Sequence, residues 1–254
     1  MNKTIRHSIT LLTLTTCSFA GADWELIDDF ESYSIGDYGF DQDLIYPGAS
    51  NGAGGAMLIK SEEEGIGGRK AAWFYAWESG IGEYWHQIPL PESIEVNESG
   101  TVYFRMWQEK DSSSFEGWLV SLSRTEAGMA PDNVSPYSAQ AALLRNTEYP
   151  ARTSIEGWKG DGYTSTIPPF LPDAKTWYEY WLVVDNTFEG DTATGGYQVY
   201  VRKPGEEFPN LLAWKDIGGD SSLLPFRDAE RDSIKTLGFI QPIRYFFLWL
   251  VDDI

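Results

Sequence analysis

The amino-acid sequence predicts an all-β protein built as a two-sheet antiparallel β-sandwich, and three observations carry that expectation. Runs of aromatic and β-branched residues recur along the chain, cut at short intervals by Gly, Pro, Asn and Asp. Several of the runs alternate with a period of two. Helical periodicity is scarce. The expected strands cover residues 71–77, 100–108, 117–123, 177–185, 197–203, 233–240 and 245–253. In 101–108, Val102, Phe104 and Met106 share one face and read as core. Tyr103, Arg105 and Trp107 share the other, where a charge between two aromatics suits a deep core poorly. Short helical turns are expected at 138–145 and 227–235. Glycine-rich loops are expected at 48–55 and 65–68, and a hairpin connection at 185–196.

Residues 1–22 read as a secretory signal peptide. Lys3 and Arg6 lead a short apolar stretch at 9–19, and the small residues Ala20 and Ala22 precede the expected cleavage before Asp23, with 18–20 also fitting. The stretch is too short and too rich in Thr to anchor in a bilayer. Cys17, the single cysteine, is lost with it, and Thr15 and Thr16 match a lipoprotein signal poorly. Residues 23–254 are therefore expected to be one β-sandwich domain without a disulfide, secreted or held in the periplasm or at the cell surface. No other apolar run reaches spanning length, so no membrane span is expected. The formal charge of −19 argues against nucleic acid as a partner. The apolar run 246–254 stops in mid-pattern, from which we expect the domain to be truncated in its C-terminal strand, with further domains beyond Ile254.

Aromatic residues make up 15% of the chain. Trp73, Tyr75 and Trp77 alternate with Phe74 and Ala76, so three rings line one face of a strand. Aromatic faces stack on sugar rings, and neighbouring Arg, Gln and Asn bind hydroxyls. Trp85, Tyr103, Arg105 and Trp107 extend such a platform if their strands are adjacent. Core packing is the competing explanation for these rings, and Arg105 is the member it explains least.

Three stretches together resemble secreted bacterial concanavalin-A-like (LamG-like) jelly-roll domains. Ile27-Asp28-Asp29-Phe30-Glu31-Ser32-Tyr33 resembles their opening strand. Thr176 to Asn186 followed by Gly196 to Val201 resembles their central hairpin, and Trp249-Leu250-Val251-Asp252-Asp253-Ile254 their closing strand. The likeness covers nearly all of 23–254. It implies a jelly roll that binds glycans or serves adhesion, with some such folds cleaving glycans. In related calcium-bearing carbohydrate-binding modules the first and last strands share a structural calcium. The matching positions are Asp29, Glu31 and Asp252, with Asp28 and Asp253 as alternatives, and carboxylates gathered from distant segments suit that ion. Solvated acids on edge strands remain the other reading.

Support for catalysis is thin. Glu25 and Asp28 are spaced three apart and fall on opposite faces of a strand, unlike the paired carboxylates of a glycoside hydrolase. There is no zinc-type Cys/His cluster and no phosphate loop. A β-elimination lyase would have to use His86, the one histidine of 23–254, with Gln87, Arg105 and a tyrosine. The strand motifs of alginate lyases are absent, and His86 reads more readily as structural. The sequence thus points to a non-catalytic module for a polysaccharide or cell-surface glycan. A polysaccharide lyase and a structural cell-surface domain without a small ligand stand as alternatives.

Overall fold

The computed structural model describes residues 25, 27, 30, 31, 34, 46–49, 55–60, 70–76, 83–108, 118–124, 140–146, 155–217, 222–227, 230–242 and 249–252. Two seven-stranded antiparallel sheets pack face to face, with strands numbered in chain order. The first sheet runs β1 (Tyr46–Ala49), β4 (Glu83–Ile94), β15 (Ile234–Pro242), β6 (Trp118–Ser123), β7 (Gln140–Asn146), β8 (Glu156–Trp158) and β9 (Tyr163–Ser165). The second runs β14 (Asn210–Leu211), β13 (Gly196–Arg202), β10 (Trp177–Asp185), β5 (Ser99–Gln108), β16 (Trp249–Asp252), β3 (Ala71–Ala76) and β2 (Gly55–Lys60). A small hairpin, β11 (Phe188–Glu189) with β12 (Thr192–Ala193), sits between β10 and β13. The chain passes from one sheet to the other at β1–β2, β3–β4, β4–β5, β5–β6, β9–β10, β14–β15 and β15–β16, the winding of a jelly roll. The expected sandwich is the observed one. Among the described residues no helix is long and apolar enough to cross a membrane.

Alternation decides which side chains meet between the sheets. Phe104 of β5, Tyr180 of β10 and Phe239 of β15 are fully buried. Phe104 stacks on Tyr180 with centroids 5.2 Å apart and meets Phe239 edge-on at 5.8 Å, joining the two sheets through one ring. Val102, Met106, Leu182, Val199, Val120 and Leu237 fill the surrounding core. Gly157 on β8 faces Trp214 and Leu224 so closely that a Cβ would run into the Leu224 side chain. Phe30 keeps a left-handed φ of 57° while fully buried; packing of the ring holds a conformation the backbone alone disfavours.

Polar groups close the ends. Asn186, fully buried after β10, donates from its amide to the carbonyls of Ile94 (3.1 Å), Glu95 (3.2 Å) and Asp232 (3.1 Å). Its Oδ1 accepts from Arg124 at 3.1 Å, and the Arg124 guanidinium also donates to the Asp232 carbonyl while lying between the Phe188 and Phe226 rings. This satisfies a buried amide whose isolation would be costly and ties β4, β6, β10 and the approach to β15 together. At the opposite edge, residues 213–215 leave β14 and bond to the β9 side: Ile167 N–H donates to Ala213 (2.7 Å) and Lys215 N–H to Ser165 (2.9 Å). The link covers backbone edges that would otherwise be open to pairing.

Most expected strands are present, and 177–185 matches its observed bounds. Three expectations are corrected. Residues 140–146 form a strand, because pairing with β6 and β8 outweighs the helix preference of Ala and Leu there. In 227–235, the described residues up to Ser233 are irregular and strand β15 begins at Ile234. The expected opening strand at 27–33 shows no strand at its described residues Ile27, Phe30 and Glu31. β4, twelve residues long, was not anticipated. Trp77 and residues 243–248 lie outside the described residues.

Because Phe104 fills the joint between the sheets, Phe104→Ala is expected to cost about 3–5 kcal/mol in urea unfolding. A loss below about 1 kcal/mol would show that this ring does not join the sheets.

Candidate functional site

The outer face of β5, β10 and β13 gathers the aromatic and charged side chains that the core rejects. Antiparallel register sets them in rows across the strands. Tyr103 stands opposite Trp181, and Trp181 opposite Tyr200, which in turn pairs with Leu211 of β14. One row along, Arg105 stands opposite Glu179, and Glu179 opposite Arg202. In a third row Trp107 stands opposite Trp177. The rings of the first row are part-exposed, whereas Trp107 and Trp177 are each only 5% exposed.

Contacts within the face fix its geometry. The Tyr103 hydroxyl donates to Glu179 Oε1 at 3.2 Å, and Arg202 Nε forms an ion pair with Glu179 Oε2. The Arg202 guanidinium lies 5.5 Å from the Trp181 ring centroid, and Tyr103 lies 5.1 Å from Trp181 at 48°. Arg105 sits over the Trp177 ring at 5.4 Å. Each arginine thus faces a tryptophan and belongs to the same charged row, an arrangement the planar guanidinium suits and a lysine does not. The Arg202 hydrogen bond, with further help from its charge, Tyr103 and Arg105, holds the Glu179 carboxyl below its ordinary pKa. The same bond raises Arg202. Glu179 and Arg202 are both ionised throughout the neutral range.

Of the ring and charge positions expected from the sequence, Tyr103 and Arg105 belong to this face and Trp107 lies buried along it. Trp73 of β3 falls in the register row of Trp107, with Leu250 of β16 between them. For Trp73 and Tyr75 the backbone position is described; β3 is two strands from β5, not adjacent. Trp77 lies outside the described residues. Trp85 is on β4, in the other sheet, and does not extend the platform. Trp177, Glu179, Trp181, Tyr200 and Arg202 were not singled out as site residues, although 177–181 and 198–202 carry the same ring-and-charge alternation as 103–107.

His86 and Arg105 are not brought together. His86 pairs with Phe239, which meets Phe104 between the sheets, and is only 2% exposed. Burial lowers its pKa to about 3. Arg105 lies on the outer face of the opposite sheet. Gln87, next to His86, points to the other side of β4.

The acidic positions are less fully described. Glu31 Oε1 accepts the Lys70 backbone N–H at 2.9 Å, and the Lys70 ammonium donates to the Glu31 carbonyl at 2.7 Å. Lys70 leads into β3, and Ala72 of β3 pairs with Val251, the neighbour of Asp252. Glu31 and the end of β16 therefore meet at the same end of β3. Asp28, Asp29 and Asp253 lie outside the described residues, and Asp252 is described by its backbone. No group of three His, Cys, Asp or Glu side chains suited to a metal occurs among the described residues.

No protein-family model and no curated protein matches the chain. Among solved structures, the T. cruzi calreticulin globular domain is similar at 13% identity over 91% of this chain and 88% of that one, with a TM-score of 0.46. A family 11 carbohydrate-binding module of a cellulosomal cellulase of Clostridium thermocellum is similar at 11% identity over 90% and 91%, TM-score 0.41. The metal-free Emp46p carbohydrate recognition domain is similar at 10% over 90% and 95%, TM-score 0.35. Likeness at this level carries no inference about what this chain binds, which rests on its own residues.

His86 and Glu179 make the fold sensitive to acid in the same direction. The unfolded chain protonates His86 near pH 6.5 while the folded one resists down to about 3. Stability from this group is full above pH 6.5 and falls by up to about 1.4 kcal/mol per pH unit below it. The Glu179 contribution is full above the ordinary carboxylate range and is lost as pH falls through its lowered pKa. Urea midpoints between about pH 4 and 8 are expected to decline below 6.5, and His86→Leu to flatten that decline. An unchanged slope in the variant would mean that His86 is protonated in the folded protein.

Proposed function

We propose that this chain is a secreted, non-catalytic carbohydrate-binding module of the LamG-like type, acting through the outer face of β5, β10 and β13. The observation that carries the reading is the row of part-exposed rings Tyr103, Trp181 and Tyr200 beside the Arg105–Glu179–Arg202 row. The rings offer flat apolar surface to the C–H faces of sugars. The Glu179 carboxylate accepts hydroxyl protons, and the guanidinium N–H groups donate to hydroxyl oxygens. Strand backbones and mutual contacts hold these groups before a ligand arrives, which limits the ordering cost of binding. Trp107 and Trp177 form the floor under Arg105. What favours binding over a lyase is the separation of His86, in the core, from Arg105. The signal-like residues 1–22 support export, and a polysaccharide or cell-surface glycan is the partner that follows.

Calcium enters the proposal as a structural ion at the meeting of Glu31 with the end of β16. Asp29, Glu31 and Asp252 would hold it. It would neutralise carboxylates brought together from the two ends of the chain. Lys70, already bonded to Glu31, is the competing cation. Differential scanning calorimetry with calcium or with EDTA separates the two. A Tm several degrees lower in EDTA, abolished in Asp252→Asn, is expected. The same Tm in both would leave Lys70 as the cation that holds Glu31.

The function is tested by affinity electrophoresis and calorimetry of the protein on neutral and acidic polysaccharides, with absorbance near 235 nm followed for unsaturated ends. Retention on a glycan without product is expected, weakened at least about tenfold by Trp181→Ala, or about 1.4 kcal/mol, with Tm nearly unchanged. Unsaturated products would identify a lyase. No retention on any glycan would leave a structural surface domain.

A further inference from the structure

The charges of the face alternate and are engaged with one another, and that bears on which glycans it accepts. Read across the sheet, the row is Arg202, Glu179 and Arg105. Signs alternate along it, and Glu179 offsets one of the two arginines. Glu179 is held by Arg202 and by the Tyr103 hydroxyl, so neither oxygen is idle. An anionic sugar reaching for Arg202 would have to replace Glu179, leaving a part-buried carboxylate without its counter-ion. It would also approach a chain whose formal charge is −19, against a long-range field of the same sign. An uncharged sugar meets neither obstacle. Its hydroxyls bond to carboxylate and guanidinium edges while the ion pairs stay intact.

The rings set a direction. Tyr103, Trp181, Tyr200 and Leu211 occupy successive strands β5, β10, β13 and β14 in one row. Three inter-strand spacings make that row about 14 Å long, running across the strands. The row ends at an edge: Leu211 is 42% exposed, and Phe208, three residues earlier, is 70% exposed. The strip is open at the β14 side.

We propose, resting on the carbohydrate-binding reading above, that the ligand is an uncharged polysaccharide whose chain lies across the strands along Tyr103, Trp181, Tyr200 and Leu211, recognised by stacking and hydroxyl hydrogen bonds instead of charge. Binding is then nearly independent of salt. Affinity rises with oligosaccharide length until the strip is covered.

The test titrates the full chain with uncharged polymers (β-glucans, xylan, galactomannan) and acidic ones (alginate, polygalacturonate, carrageenan) at about 50 and 500 mM NaCl, conditions that change the screening length several-fold. Expected is binding to at least one uncharged polymer, with Kd changed less than about twofold by salt. Tyr103→Ala and Tyr200→Ala, folded by near-UV circular dichroism, should each weaken it about tenfold or more on long oligosaccharides and less on disaccharides. Preference for acidic polymers, lost at high salt and dependent on Trp181, would overturn this inference and leave the proposed function standing. Uncharged binding indifferent to both tyrosines would overturn the direction across the strands. Failure to bind any polymer would overturn the inference together with the function on which it rests.

Discussion

The pairing of β5 with β10 is the constraint on which both sides of the second sheet depend. Nine register pairs run from Trp177 opposite Trp107 to Asp185 opposite Ser99. A slip of one residue would turn one strand over against the other, sending either Phe104 outward and Arg105 inward or Tyr180 outward and Glu179 and Trp181 inward. Two features oppose the slip. The inner face is held by the Phe104–Tyr180 stack against Phe239, and the end of β10 is pinned by Asn186, whose N–H donates to Glu98 (2.9 Å) and whose carbonyl accepts from Asn97 (2.8 Å). The proposed binding face is thus the reverse side of the core, and its geometry is as firm as the packing beneath it.

Charge on that face works locally. A lone arginine beside a tryptophan would supply a cation–π contact and a strong field. With Glu179 between Arg105 and Arg202 one of the two positive charges is offset, while both guanidinium planes stay against their rings. The row behaves as a scaffold for the rings, and in the proposed function it offers hydrogen-bonding groups to hydroxyls. Ion pairs that keep part of their surface in water contribute little to global stability, so their main consequence is the posture of Trp181 and Tyr103.

The sheet architecture and half of the face were legible in the sequence because period-two alternation reports directly on the pleat. Residues 101–108 alone separated Val102, Phe104 and Met106 from Tyr103, Arg105 and Trp107, and the burial of the first three agrees. The same alternation at 177–181 and 198–202 held Glu179, Trp181, Tyr200 and Arg202, yet strand order, which makes them neighbours of Arg105, depends on long-range pairing that no local pattern encodes. Trp85 shows that limit, since alternation assigns a side of a strand but not a sheet. Trp107 shows another, because it shares a face with Tyr103 and is nonetheless covered. The Ala141–Leu144 run misled for a physical reason: good helix formers were recruited into a strand by two partners, β6 and β8.

The central claim is that ligand meets the outer face of β5, β10 and β13 and not the core side or the opposite sheet. It is tested most directly by following the assigned tryptophan indole N–H signals in NMR spectra during titration with a retained glycan. The account predicts that Trp181 shifts most, that buried Trp177 follows weakly, and that Trp214, deep beneath Gly157 and Leu224, stays still. Shifts confined to Trp158 or Trp214, with Trp181 unmoved at saturation, would contradict it and move the site to the other sheet.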